Sequence, residues 1–216
     1  MAISERKQRE FERREQEIIE AAHELFKQGD IHAVTIEQIA EAADIGKGTV
    51  YKHFKSKDEI YCRIIIQLNR AMRTEIAAID RSLPFRERLD RIIDTLWNHN
   101  MHDSQFLHQL TLHVMSGAFK QNLGTEMLNT LMELQEEELA FYMQLLKEAQ
   151  QRGEIIDESL DDLLFSTSAA IDGAVIHYWL MEASGAVTAD DSKRLMMQLQ
   201  RFVYRALSCN SDKQAL

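Results

Sequence analysis

One proline, Pro84, and eight glycines are all the backbone breakers that the 216 residues contain. That scarcity excludes a turn-rich architecture, and the abundance of Leu, Met, Ala, Glu and Gln favours an all-α chain. Two cysteines, Cys62 and Cys209, are too few for a disulfide framework and suit a reducing cytoplasm. No apolar run reaches the roughly 18 residues that a membrane-spanning helix needs. The charged N-terminus also lacks the apolar core of a signal peptide, so a cytoplasmic protein is expected. Catalytic signatures are missing too: there is no phosphate-cradling glycine loop, no Gly-x-Ser-x-Gly elbow and no acid pair in a recognisable setting. The chain is expected not to be an enzyme, and no cofactor is implied.

The remaining shortage is positive charge. The net charge is −10, of which residues 1–60 contribute −3 and the rest −7. A general excess of cations, the mark of a non-specific coat on nucleic acid, is excluded. Charge is segregated instead. From Ile45 to Lys57 there are four lysines, one histidine and no acid, whereas Glu37, Glu41 and Asp44 precede that stretch. Screening over about 8 Å at physiological salt lets a local basic patch act nearly alone. An acidic body then repels DNA elsewhere and favours one binding orientation.

Residues 35–57 have the layout of a helix-turn-helix, whose second helix enters the major groove of DNA. Thr35 and Gln38, three residues apart, predict a capping box for the first helix. Ile36, Ile39 and Ala40 share a face, and Ala42 and Ala43 are small enough for a second helix to cross closely. Asp44 sits at the turn, where Asp tolerates left-handed backbone. Gly46 to Tyr51 predicts the second helix, with Val50 and Phe54 inward. Lys47, Lys52, Lys55 and Lys57 can neutralise phosphates, and Thr49 and Tyr51 offer hydroxyls to phosphates or base edges. Two glycines inside a helix cost roughly 1 kcal/mol each relative to Ala, which implies close approach of something to the backbone. A generic solvated helical hairpin is the competing reading, and a hairpin that binds a protein partner is the functional alternative.

The run Ile36-x-x-Ile39-Ala40-x-x-Ala43-x-Ile45-x-Lys47-Gly48-Thr49-Val50-Tyr51-x-His53-Phe54-x-Ser56-Lys57-Asp58 resembles the DNA-binding signature of the TetR family of bacterial repressors. Upstream, Ile18-x-x-Ala21-Ala22-x-x-Leu25-Phe26 before Gly29 resembles that family's first helix. Asp44 stands where the family most often has Gly, and Gly46 where a capping Ser or Thr is common. The resemblance covers about residues 14 to 61. It implies a three-helix DNA-binding domain, residues 1–56, followed by a larger helical ligand-binding and dimerisation domain, residues 57–216. It further implies a ligand-responsive repressor on a palindromic operator. Lys47, Gly48 and Thr49 are then expected at bases and nearby phosphates, with Thr35, Tyr51, Lys52, His53 and Lys57 on the backbone. A lone helix-turn-helix reads only a few base pairs, so a two-fold dimer is physically expected, with half-sites about 34–36 Å apart.

Beyond the reader, Ile60, Ile64, Leu68, Met72, Ile76 and Ile79 form the stripe of a long connecting helix that ends before Pro84. The next helix carries Leu89, Ile92, Ile93, Leu96 and Trp97 and fades in the polar stretch Asn98 to Ser104. Further helices are expected over roughly Gln105–Ala118, about 125–152, about Leu160–Ala183 and about Ala189–Ser208. Residues 116–125 read as a loop, residues 1–13 as a solvated helical lead-in, and Glu136, Glu137 and Glu138 as a solvated face. In the helix from Leu160, small residues from Ser166 to Ala174 permit close helix approach. In the resembled family the last two helices pair with their copies; a buried monomer core is the alternative. The final helix carries Leu195, Leu199, Phe202, Val203 and Ala206 on one stripe.

His99, His102, His108 and His113 raise the question of a metal. Their spacings of three, six and five do not give paired i, i+4 ligands, and no metal is expected. Cys62 reads as a buried thiol rather than a redox trigger. Effector sites in helical bodies are apolar pockets with a few polar groups. Trp97, His113, Tyr142, Asp172 and His177 are the candidates to line one, and Asp172 stands out by interrupting the apolar run from Ala169 to Leu180.

Overall fold

The computed structural model describes residues 2–208, with side chains from residue 5; Cys209 lies outside the described residues. Among the described residues there are helices only: α1 (Ala2–Lys27), α2 (Ile36–Ala42), α3 (Lys47–His53), α4 (Lys57–Ala77), α5 (Phe85–His102), α6 (Ser104–Met115), α7 (Ala118–Gln121), α8 (Thr125–Gln151), α9 (Leu160–Ala183) and α10 (Ala189–Leu207). The lead-in is helical from Ala2, supported by side-chain pairs one turn apart. Gln8 Nε2 donates to Glu12 Oε1 at 2.9 Å, and Arg13 pairs with both Glu10 and Glu17. The expected loop after Met115 contains the single turn α7, entered through Gly117 at φ 76°, a left-handed conformation that glycine adopts without steric cost.

Packing divides the chain into two units, Met1–Asn69 with Gln105–Leu131, and Arg70–Ser104 with Met132–Leu216. This division does not follow the expected boundary at 56/57. Ile60, Tyr61 and Ile64 of α4, and Phe106, Leu110 and Phe119 after it, are all buried in the first unit. An apolar stripe signals that a helix is buried but not with which neighbours.

In the first unit, Thr35 and Gln38 close the expected capping box: Thr35 N donates to Gln38 Oε1 at 2.8 Å, and Gln38 N to Thr35 Oγ1 at 3.2 Å. Asp44 takes φ 52°, the one left-handed non-glycine residue described. Gly46 is the N-cap of α3 rather than part of it, so only Gly48 carries the interior helix penalty. The loop between α1 and α2 is pinned from two sides. Lys57 Nζ donates to the carbonyls of Ile31, His32 and Val34 at 3.1, 3.1 and 2.9 Å. Tyr61 OH donates to Ile31 O at 2.6 Å, while Gln109 accepts from Ile31 N at 2.9 Å and donates to Gly29 O at 3.2 Å. Lys57 therefore uses all three ammonium donors inside the protein. Expected on the DNA backbone, Lys57 sits here with its charge turned onto the loop.

The second unit is built on α5, α8, α9 and α10. Pro84 caps α5, and the Phe85 N–H donates to Glu154 Oε1 at 3.0 Å. Buried Arg88 pairs with Glu148 at 3.2 Å. Trp97 stands edge-on to Tyr178 with centroids 5.3 Å apart, and its Nε1 donates to Ser192 Oγ at 2.8 Å. Gln200 Nε2 bridges Asp90 O and Asp94 Oδ1 at 3.0 and 2.7 Å, tying α10 to α5. The single stripe expected on α10 is split. Leu199 and Val203 face the core, but Phe202 is 64% exposed. On α9, Leu163, Leu164, Val175, Tyr178 and Trp179 are buried, while Phe165 and Leu180 are 76% and 52% exposed. A helix apolar on both faces needs a partner on the open one.

Replacing Lys57 by Met should leave three loop carbonyls without their charged donor and lower stability by about 2–3 kcal/mol. Urea unfolding measures that loss. The salt dependence of DNA binding in the folded variant should keep the wild-type slope, because no phosphate-neutralising cation has been removed.

Candidate nucleic-acid interface and ligand cavity

Val50 and Phe54 are buried, which fixes the roll of α3 and turns Lys47, Gly48, Tyr51 and Lys52 outward. Thr49 is half-buried beside them, its N–H donating to Gly46 O at 2.7 Å as the first turn closes. A Cβ built on Gly48 meets no atom within 4 Å. Nothing inside the unit requires glycine there, so the residue leaves open space on the face where a partner would approach.

Lys47 forms an ion pair with Glu37 of α2 and lies 5.8 Å from the Tyr51 ring centroid. The pair holds the lysine's pKa up and the glutamate's down. Both groups are exposed, so the contact orients Lys47 without contributing much to stability. Glu37 lies ten residues before Lys47, beyond any local pattern rule, and its closeness came only with the fold. His53 stacks on Phe11 with ring centroids 4.1 Å apart. Burial lowers its pKa, ahead of the opposing pull from Glu15, and Nδ1 is buried without a partner. A ring in that setting favours the neutral imidazole and is a weak phosphate cation. Thr35 keeps its hydroxyl in the capping box. Lys52 and Lys55 remain as exposed lysines beside α3 and its exit.

The five effector-pocket candidates do not come together. Tyr142 and Asp172 line a cavity of about 220 Å³ walled by α5, α8 and α9, with apolar Leu89, Ile92, Leu146 and Leu164. Trp97 and His177 line a different hollow of about 360 Å³ beside Phe202. His113 is in neither, because α6 packs in the first unit: its Nε2 lies 2.6 Å from Asp58 Oδ1. Asn122 Nδ2 donates to the other Asp58 oxygen at 2.6 Å, and the His113 ring meets Tyr61 and Phe119 edge-on. His113, expected in the effector pocket, lies instead against the buried Asp58.

Glu138, expected on a solvated face, belongs to the cavity wall. Glu136 and Glu137 are exposed, but Glu138 is half-buried one helical turn before Tyr142. That i, i+4 relation to Tyr142 was the available signal. Burial raises the Glu138 pKa, Asp172 adds to the rise, and Arg73 opposes it. Asp172 is open to water on one side, yet burial also pushes its carboxyl up. Tyr142 is raised in the same way.

The histidines have separate partners. His99 Nε2 lies 3.1 Å from Glu75, and His102 Nδ1 lies 3.1 Å from Asp103. Among the described residues no group of three or more His, Cys, Asp or Glu is placed to hold a metal ion. Cys62 is fully buried, and that burial pushes its thiol up to about 12, far from the thiolate that redox chemistry uses. No helix among the described residues is long and apolar enough to cross a membrane.

Residues 18–64 match the family model of bacterial regulatory proteins, tetR family. Over 58% of this chain the sequence is 30% identical to an uncharacterized HTH-type transcriptional regulator, YhgD, of Bacillus subtilis (strain 168). Over 44% it is 33% identical to the HTH-type transcriptional activator FasR of Mycolicibacterium smegmatis. The chain spans 63% and 43% of the length of these two curated relatives. Among solved structures, RolR in complex with resorcinol aligns over 95% of this chain and 92% of its own, with a TM-score of 0.61 at 18% identity. That likeness establishes a shared fold.

The open space at Gly48 gives a direct test. Gly48→Ala should leave the melting temperature unchanged or raise it, since Ala is favoured over Gly in a helix by up to about 1 kcal/mol. DNA affinity, followed by fluorescence anisotropy, should nevertheless fall at least about tenfold through the added methyl at the interface. Equal loss of stability and affinity would assign the glycine to packing instead.

Proposed function

We propose, from the TetR-family membership of residues 18–64, that this chain is a sequence-specific DNA-binding transcriptional regulator. It acts as a homodimeric repressor that a small-molecule ligand releases from a palindromic operator. The observation that carries the reading is the outward face of α3, where lysines, hydroxyls and a glycine that packing does not need lie together. Lys47, Gly48 and Thr49 read bases and adjoining phosphates. Tyr51 and Lys52 hold the backbone, and the N-terminal end of α3 enters the groove first.

Dimerisation supplies the second reader. The open apolar faces of α9 and α10, with Phe165, Leu180 and Phe202, support pairing with a second copy, because exposed aromatic surface on two adjacent helices favours burial. The ligand enters the cavity beside Tyr142 and Asp172. RolR, which shares the fold, has been seen with resorcinol, a small molecule. Binding shifts a two-state equilibrium only to the extent that the ligand prefers one state, so it must favour the conformation whose readers are out of register with the operator.

Selection from random duplex DNA at two salt concentrations tests the reading. The expected outcome is an enriched palindrome whose affinity falls steeply with salt. No enrichment, together with salt-insensitive capture of a protein, would replace it with a hairpin that binds protein. Phe202→Glu should convert the dimer to monomers in sedimentation equilibrium and abolish operator binding at concentrations where the wild type is saturated. A monomeric wild type would overturn the paired-reader arrangement. A reporter fused to the selected site decides the sign of regulation, FasR being named an activator.

A further inference from the structure

The cavity beside Tyr142 carries more acid than an apolar pocket needs. Glu138 projects from α8 and Asp172 from α9, and both line a wall otherwise dominated by Leu and Ile side chains. Among the described residues no hydrogen bond or ion pair engages either carboxyl. The nearby cation, Arg73 of α4, is taken: its Nη1 lies 2.7 Å from Glu137 Oε2 and also donates to Leu134 O at 3.4 Å. Arg73, engaged by Glu137, only partly opposes the burial of Glu138, and among the described residues no cation is paired with Asp172. From α5 and α10 only apolar side chains reach the cavity, so neither helix supplies a countercharge.

Glu138 is half-buried, and removing water from an unpaired carboxylate is costly, so a protein that gains nothing from it does better with an apolar residue of the same size. Asp172 adds a second carboxylate at the open side of the cavity. We infer that this cavity recognises a compact organic cation, with its charge set between Glu138 and Asp172 and its apolar body against the Leu and Ile wall. The inference rests on the reading of this cavity as the effector site. Tyr142 adds an aromatic ring beside the same charge, suited to an ammonium group. Carboxylate ligands are disfavoured, since two acids of like charge already stand at the site. A metal ion is not the match: among the described residues no group of three or more His, Cys, Asp or Glu is placed to hold one.

Proton linkage follows from the same geometry. In the free protein burial and mutual repulsion hold the Glu138 carboxyl above its ordinary range, and burial does the same for Asp172. Arg73 is paired with Glu137, and burial pushes the Tyr142 hydroxyl up, so the two acids are the groups that respond. A cation prefers both ionised and lowers their pKa values. At pH values near the raised free-state values binding therefore releases protons, which sets the pH of the titration, and affinity weakens as pH falls through them.

The test uses three molecules of nearly one shape: phenyltrimethylammonium, its neutral isostere tert-butylbenzene and the anion 4-tert-butylbenzoate. Each is titrated calorimetrically into the full chain in buffers of different ionisation enthalpy. The expected result is one cation per chain, bound at least about tenfold tighter than tert-butylbenzene, or about 1.4 kcal/mol, with protons released. The double variant Glu138→Gln, Asp172→Asn should lose that preference and the proton release while still binding tert-butylbenzene. If tert-butylbenzene binds the wild type as tightly as the cation, or the benzoate binds best, the cation inference is overturned and the effector cavity stands. If none of the three binds, both readings fall. Should the double variant fail to fold, the wild-type preference and its proton release decide the matter alone.

Discussion

One ammonium group holds the loop between α1 and α2 in shape. Lys57, the first residue of α4, gives its three donors to the carbonyls of Ile31, His32 and Val34. Tyr61, one turn on, adds a fourth bond to the same loop, and Gln109 of α6 reaches it from elsewhere in the sequence. These loop carbonyls would otherwise be unpaired where burial is beginning, and leaving them so is costly. Because α2 starts from this loop and α3 packs on α2, the placement of α3 depends on that anchor.

Function at α3 then comes from small departures from ideal helix design. A glycine inside the helix weakens it, and no neighbouring atom in the free unit explains its presence. Glu37 orients Lys47, and Phe11 carries the ring of His53. The acidic body does not oppose this, since unscreened charge reaches only about 8 Å at physiological salt. Fewer lysines are free for phosphate than the charge pattern suggested, and the surviving ones lie on or next to α3.

The second unit combines an apolar scaffold with two features that a folded monomer does not need. α9 and α10 leave Phe165, Leu180 and Phe202 open, and the neighbouring cavity leaves Glu138 and Asp172 without partners. The open apolar surface and the half-buried Glu138 carboxyl cost free energy in the isolated chain; the proposed pairing of copies would bury the first and the proposed ligand would neutralise the second. α9 carries Phe165 and Leu180 as well as Asp172, so both proposed events would engage one element, the arrangement that coupling between sites requires.

Legible in the amino-acid sequence were the all-helical class, the capping box at Thr35, the left-handed turn at Asp44, the inward Val50 and Phe54, the bounds of α9 and the start of α10. These follow from local rules: capping, φ preference and the 3.6-residue period act over a few neighbouring residues. Only the tertiary structure decided which helices pack together, and so that Lys57 faces a loop, that His113 answers Asp58, and that Glu138 rather than His113 joins Tyr142 and Asp172. The five pocket candidates were chosen by residue type, and type does not carry location. Residues 55 positions apart, such as His113 and Asp58, meet because apolar stripes on different helices must be buried somewhere, and periodicity is blind to the choice of partner.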